Sequence, residues 1–302
     1  MSEPLSVLEL IDIGERVLDD STHIDEDHDT RLEAEQLLAH ALDIPHDDID
    51  VDLELVPSRR IRERYLSWVA RRCAGEPLPF LLGYTTFYGL DLMVKPGAFV
   101  PRSSSELTVD RAVRRARRKQ APVIVDICAG AAPIALALAH ELPHADVWAL
   151  DISEEGLEQG RENAKLLGVK NIHFRVSDMY SSLPAKLAGK VDIVTGHVPY
   201  VPAGELDSLP TEVREYEPLF TLTDDSQDGL TLMRRAVGEA PEWLAPDGWL
   251  LLEMSDDLPP TIVKMVRASG LEDKGVASDN DGLSVVVEAR RPSPRKERRK
   301  GG

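Results

Sequence analysis

Three aspartates stand where short apolar runs end. Asp126 lies late in the run 123–128, Asp151 closes 147–151, and Asp178 closes 172–178. Between Asp126 and the next helical stretch comes Ile-Cys128-Ala129-Gly130-Ala131-Ala132-Pro133, a turn of small residues that lets a ligand approach the backbone closely. Asp151 follows Gly130 by 21 residues, the spacing of an acid that binds ribose hydroxyls. Each aspartate alone reads equally well as a helix cap or a turn residue. Together they form a pattern shared by nicotinamide and S-adenosylmethionine proteins. The turn lacks the Gly-x-Gly-x-x-Gly spacing that cradles a pyrophosphate, which favours S-adenosylmethionine, a cofactor without phosphate.

The elements around these residues form two regimes. From residue 122 onward, strands at 123–128, 147–151, 172–178, 191–198 and 249–254 alternate with helices at 134–142, 153–167, 229–244 and 259–269, and a last strand runs over 283–289. This alternation predicts a parallel sheet with helices on both faces, which binds its ligand beyond the carboxyl ends of the strands. The turn Asp279-Asn-Asp-Gly predicts that the last strand enters as part of a hairpin. The first 75 residues read instead as helices. Leu8, Ile11 and Leu18, then Leu32, Leu37, Leu38 and Leu42, fall near helical spacing, and a third helix begins at the N-cap Ser58. The expected fold class is α/β: a Rossmann-like seven-stranded domain at 105–290, preceded by an all-helical domain at 1–80 and a β-hairpin linker at 81–104, with a disordered basic tail at 291–302.

Composition narrows the partners. The 302 residues carry a formal charge of −18, and residues 1–57 alone hold 18 acidic against 2 basic side chains. Such a surface repels duplex phosphates, so nucleic acid is a disfavoured partner. The tail 290–300 is basic, with 7 basic and 1 acidic side chains, and reads as solvated chain. No apolar run approaches the roughly 20 residues that span a bilayer, and the chain start lacks a signal peptide's basic and apolar regions, so a cytoplasmic location is expected. The two cysteines, Cys73 and Cys128, form neither a disulfide framework nor a metal-ligand spacing.

At the end of the run 191–198 stands His197-Val198-Pro199-Tyr200. With the segments Arg72-Cys-Ala-Gly-Glu-Pro-Leu-Pro-Phe-Leu-Leu-Gly83, Phe87-Tyr-Gly89, Val100-Pro-Arg102, Val125-Asp-Ile-Cys-Ala-Gly130, Tyr216-Glu-Pro-Leu219 and Leu250-Leu-Leu-Glu253, it resembles the release-factor glutamine N5-methyltransferases over roughly residues 30–290. The resemblance implies an S-adenosylmethionine-dependent enzyme that methylates a glutamine amide of a peptide-chain release factor. It implies that residues 128–132 hug the cofactor's methionine part, that Asp151 holds its ribose, and that Asp178 and Met179 border its adenine. Asp126 and His197 complete that set. His197, Val198, Pro199 and Tyr200 would hold the target amide, with His197 and Tyr200 as the catalytic pair. The helical domain would recognise the protein substrate. Orientation of an activated donor supplies most of such catalysis.

The chain departs from that family's pattern at two places. The family tetrapeptide is Asn-Pro-Pro-Tyr, so His197 stands for Asn and Val198 for the first Pro. A backbone carbonyl at 198 still accepts a hydrogen bond, and a neutral imidazole accepts through one nitrogen. Three readings of His197 stand open: an acceptor in the place of Asn, a site for another amide or amine such as a nucleobase, or a fold retained for binding alone. In the turn, Ala132 stands where Gly is expected, and its Cβ would crowd the cofactor or need a shifted backbone.

Overall fold

A computed structural model describes residues 5–24, 28–279 and 285–293. The chain divides into two compact units, one of Met1–Thr85, Val94–Pro96 and Asp207–Glu217, the other of Thr86–Met93, Gly97–Leu206 and Pro218–Gly302.

The first unit is helical. It contains α1 (Val7–Asp19), α2 (Thr30–Leu42), α3 (Arg59–Cys73) and α4 (Leu78–Leu82). A reciprocal Ser6–Glu9 capping box starts α1, and the Ser58 hydroxyl accepts the Ile61 amide at the start of α3, as its sequence position predicts. Leu10, Ile11, Leu37, Leu38, Tyr65 and Val69 form the core. Leu32, expected on the apolar face of α2, is exposed. Arg72 is completely buried, its guanidinium bound to Glu33 at 2.7 Å and to Glu212 at 2.9 Å. His28 Nδ1 lies 2.8 Å from Glu33. This network ties the distant segment 207–217 into the helical unit.

After β1 (Tyr84–Phe87) and β2 (Leu90–Met93), which pair as the expected two-stranded sheet, comes α5 (Glu106–Ala116). The second unit then runs through β3 (Val123–Ile127), α6 (Pro133–Glu141), β4 (Asp146–Asp151), α7 (Glu154–Leu167), β5 (Ile172–Val176) and β6 (Val191–His197). The short α8 (Thr211–Arg214) belongs to the helical unit. The sheet unit closes with α9 (Thr231–Trp243), β7 (Leu244–Met254), α10 (Pro259–Ala268), β8 (Glu272–Ser278) and β9 (Val285–Arg290). The seven strands lie in the order β5-β4-β3-β6-β7-β9-β8, parallel through β7, with β9 antiparallel to β7 and to β8. The central strands are continuous apolar runs because both faces are covered. The expected Rossmann-like seven-stranded sheet is present. Strand β8 pairs antiparallel with β9 as the expected hairpin implies, but the sequence reading assigns it no range of its own; it is mostly exposed and shows no two-residue period. The expected turn at 279–282 and the start of the expected last strand fall on residues 280–284, and most of the basic tail falls on 294–302, outside the described residues.

Candidate active site

From the β3–β6 pair, chain order runs outward through β4 and β5 on one side and through β7 on the other, so a crevice opens beyond the carboxyl ends of these two strands. The strands deliver the singled-out residues there. Asp126 is the register partner of Thr195 in β6, and the Thr195 hydroxyl donates to Asp126 Oδ1 at 2.8 Å. Asp126 is 1% exposed and its Oδ2 has no hydrogen-bond partner among the described residues. Burial pushes its carboxyl up to about 7, against the opposing donors of Thr195 and the Ala135 amide. Asp126 thus ties β3 to β6 and to the first turn of α6.

Asp151, at the end of β4, holds the same turn from the side. Its Oδ2 accepts the Gly130 amide at 2.7 Å and its Oδ1 accepts the Ser153 amide at 2.8 Å. Burial raises its carboxyl despite these donors. A Cβ built on Gly130 meets no atom within 4 Å, so the outer face of the turn is open. On the inner side, a Cβ on Gly160 of α7 would lie 3.0 Å from the Ala131 carbonyl and 2.8 Å from the Phe174 ring; only glycine lets α7 pack so closely behind the turn.

Ala132 answers the crowding expectation. It is fully buried and adopts the left-handed conformation, φ 60°, at the N-cap of α6. Its Cβ packs into the core, so the departure from glycine is carried by the backbone at a cost of about 1–2 kcal/mol. Cys128 (φ 52°) and Met179 (φ 51°) are left-handed too, which concentrates backbone strain at this end of the sheet. Cys128 Sγ lies 3.7 Å from Met179 Sδ, and burial together with Asp151 and Asp126 pushes its thiol up, so it stays protonated rather than nucleophilic. Ala129 and Ala131 are buried within the turn. Asp178 is largely exposed and pairs with Arg235 of α9 at 2.7 Å. Ile152, which sequence reasoning missed, is 54% exposed directly after Asp151 and adds apolar surface there. Its signal was an apolar residue following a strand-end acid.

At the end of β6 the His197 ring stacks on Tyr200, with centroids 5.7 Å apart, and meets the Phe99 ring edge-on at 5.4 Å. Val198 and Pro199 are buried. The Tyr200 phenol is pushed up to about 12, first by burial and then by Glu253 and Asp257. Gly229 pins this segment: a Cβ there would sit 2.2 Å from the Tyr200 carbonyl oxygen. The register of β6 and β7 places Glu253 beside His197, and Glu253 Oε2 lies 3.7 Å from His197 Nδ1. Sequence reasoning quoted Glu253 in a motif without giving it a role; the signal available was its place at a strand end. Phe99 and Gly229 were missed, and neither sits in a local pattern that marks it.

The chain is similar to known proteins over most of its length. A methyltransferase-domain profile matches residues 118–281, and the PrmC N-terminal domain profile matches residues 12–83. The chain is 37% identical to the release factor glutamine methyltransferase of Geobacter sulfurreducens, over 86% of this chain and 89% of that protein. The proteins of that name from Moorella thermoacetica and Streptomyces coelicolor are each 36% identical, over 80% and 75% of this chain and 83% and 78% of their own lengths.

Proposed function

Because this chain belongs to the release factor glutamine methyltransferase family, we propose that it transfers a methyl group from S-adenosylmethionine to the side-chain amide of a glutamine in a peptide-chain release factor. The observation that carries the reading is the convergence, at the carboxyl ends of β3, β4 and β6, of an open Gly130 turn, the Asp151 carboxylate and the His197–Tyr200 segment. The cofactor, when bound, supplies a methyl group already activated on a sulfonium.

The residues fit such a ligand. The Asp151 oxygens accept the Gly130 and Ser153 amides, with the Ile152 amide close by, and a carboxylate has lone pairs enough to accept a ribose hydroxyl as well. Ile152 offers apolar surface for a planar base, with Asp178 at its edge and the buried Met179 following it. The turn 128–132 presents backbone to the methionine part, and Asp126 ties the strand before it to β6 and to the first turn of α6. At the other end, His197 Nε2 accepts one amide N–H of the substrate and the Val198 carbonyl the other. Holding both hydrogens turns the nitrogen lone pair toward the methyl carbon, which is the orientational part of the catalysis. Tyr200, stacked on His197, forms a flat wall for the amide plane. Recognition of the protein substrate falls to the helical unit, and the protein works in the cytoplasm.

The test is calorimetric titration with S-adenosylmethionine and its demethylated product, followed by transfer of labelled methyl onto a release factor or onto nucleic acid. Binding near the micromolar range, about −8 kcal/mol, and label on the glutamine of the release factor are expected. Label on nucleic acid alone, or no binding by the folded protein, would overturn the reading.

A further inference from the structure

The amide-transfer reading leaves one proton unaccounted for. When the amide nitrogen bonds to the methyl carbon and the donor's C–S bond breaks with its electron pair left on sulfur, the nitrogen carries one hydrogen too many. An asparagine at position 197 could accept a hydrogen bond from that hydrogen but could not take it up; an imidazole can.

Glu253 lies behind the imidazole. It is 3% exposed, and the β6–β7 register makes it the cross-strand neighbour of His197. Its two oxygens differ. Oε1 accepts the Ser104 hydroxyl at 2.8 Å, which fixes the carboxylate. Oε2 has no hydrogen-bond partner among the described residues and stands 3.7 Å from His197 Nδ1, an ion-pair separation. A buried carboxylate oxygen without a donor is costly unless a positive charge or an N–H faces it. Phe99, with the Arg102 guanidinium 5.0 Å from its ring centroid, and Tyr200, which feels the charges of Glu253, Asp257 and Arg102, also face the ring. Tyr200 stays a neutral phenol. Glu253 is therefore the anionic group nearest the ring among these.

We propose that His197 takes the proton expelled from the substrate amide and that Glu253 is its positioning residue. The carboxylate holds the Nδ1–H tautomer, so that the Nε2 lone pair faces the amide, and it then stabilises the imidazolium formed. The step balances: the N–C bond forms, the C–S bond breaks, and the amide N–H proton passes to His197 Nε2. His197 then releases that proton to water before the next turnover. The proposal rests on the amide-methylation reading for its substrate, but the tautomer does not.

The experiment has two arms on the full chain. Nitrogen-15 spectra of the histidine rings at neutral pH, with His197→Asn used to assign the signal, report the tautomer without substrate. The neutral ring is expected to carry its hydrogen on Nδ1, and Glu253→Gln to return it to Nε2, the usual preference of a free imidazole. A His197 ring that carries its hydrogen on Nε2 in the unmodified protein overturns the proposal. In methyl transfer to a release factor, Glu253→Gln is expected to lower kcat about 10²-fold with KM little changed, and to have no further effect in a His197→Asn background. An equal loss in both backgrounds assigns Glu253 a purely structural role and overturns the proposal. If the unmodified chain transfers no methyl to a release factor, the function reading fails, and the tautomer alone decides the role of Glu253.

Discussion

Replacing Asp126 with Asn is expected to make the sheet unit more resistant to alkali. In the fold this carboxyl is buried and keeps its proton up to about 7, whereas its ordinary value is 3.8. The folded state therefore binds the proton more tightly than the unfolded chain. The stabilisation this provides is complete below the unfolded value and is lost as the pH rises through the folded one. Over that whole window the difference is worth about 4 kcal/mol, and between about pH 5 and about pH 8 roughly 3 kcal/mol of it is lost. Asparagine keeps an oxygen for the Thr195 hydroxyl and carries no charge, so it lacks this dependence. Urea unfolding of both proteins at several pH values, followed by fluorescence, isolates the difference, because all other titrating groups are common to the pair. Three of the four tryptophans, Trp148, Trp243 and Trp249, lie in the sheet unit and report its transition. The variant is expected to gain stability relative to the unmodified protein as the pH rises. A stability difference that stays constant from acid to alkali would refute the reasoning and return Asp126 to the ionised carboxylates.

Gly229→Ala is expected to abolish most methyl transfer while leaving cofactor affinity within a few-fold. The new Cβ would meet the Tyr200 carbonyl at 2.2 Å, at a φ of 64°, so the acceptor segment must move while the Gly130 turn need not. Overpacking and left-handed strain together cost about 2–4 kcal/mol, readable as a lowered unfolding midpoint; unchanged transfer would show that the segment tolerates displacement. His28→Gln tests the buried network of the helical unit. The hydrogen bond to Glu33 is the largest influence on the His28 imidazole and raises it above its ordinary 6.5. Its stabilisation is therefore complete below that value and lost as the pH rises through the raised one, so the variant loses stability in mild acid and little at alkaline pH. An equal loss at both ends would assign His28 a packing role instead.

What the sequence makes legible follows from how far each signal reaches along the chain. The parallel strands are visible because a strand covered on both faces is a continuous apolar run, and the helices of the first unit because Ile11 and Leu18, then Leu37 and Leu38, fall near helical spacing on buried faces. Strand β8 is neither: it lies at the edge of the sheet, pairs only with β9, and its exposed Glu-Asp-Lys-Gly-Val-Ala-Ser gives no period. The segment 207–217 is equally silent, since its place in the helical unit rests on Glu212 meeting Arg72, a pairing that no local window contains. The strained conformation of Ala132 shows in the sequence only as an alanine where glycine was expected.

The candidate site divides along the same line. A strand end is a local feature, so Asp126, Asp151 and His197 could be singled out one at a time. Which strand ends become neighbours is a property of sheet order, and that order is what gives each residue its chemistry. Asp126 meets Thr195, and His197 meets Glu253, because β6 inserts between β3 and β7 with a register that aligns these positions. A substitution at 197 cannot then be judged by comparing asparagine with histidine alone. A histidine placed at that strand end in a sheet whose next strand ended in an apolar residue would be an acceptor only. Here the adjoining strand ends in a buried carboxylate with one oxygen unpartnered, and the same substitution gains a group able to hold a proton in transit. The departure that looked from the sequence like a damaged motif is compatible, in this register, with an intact reaction.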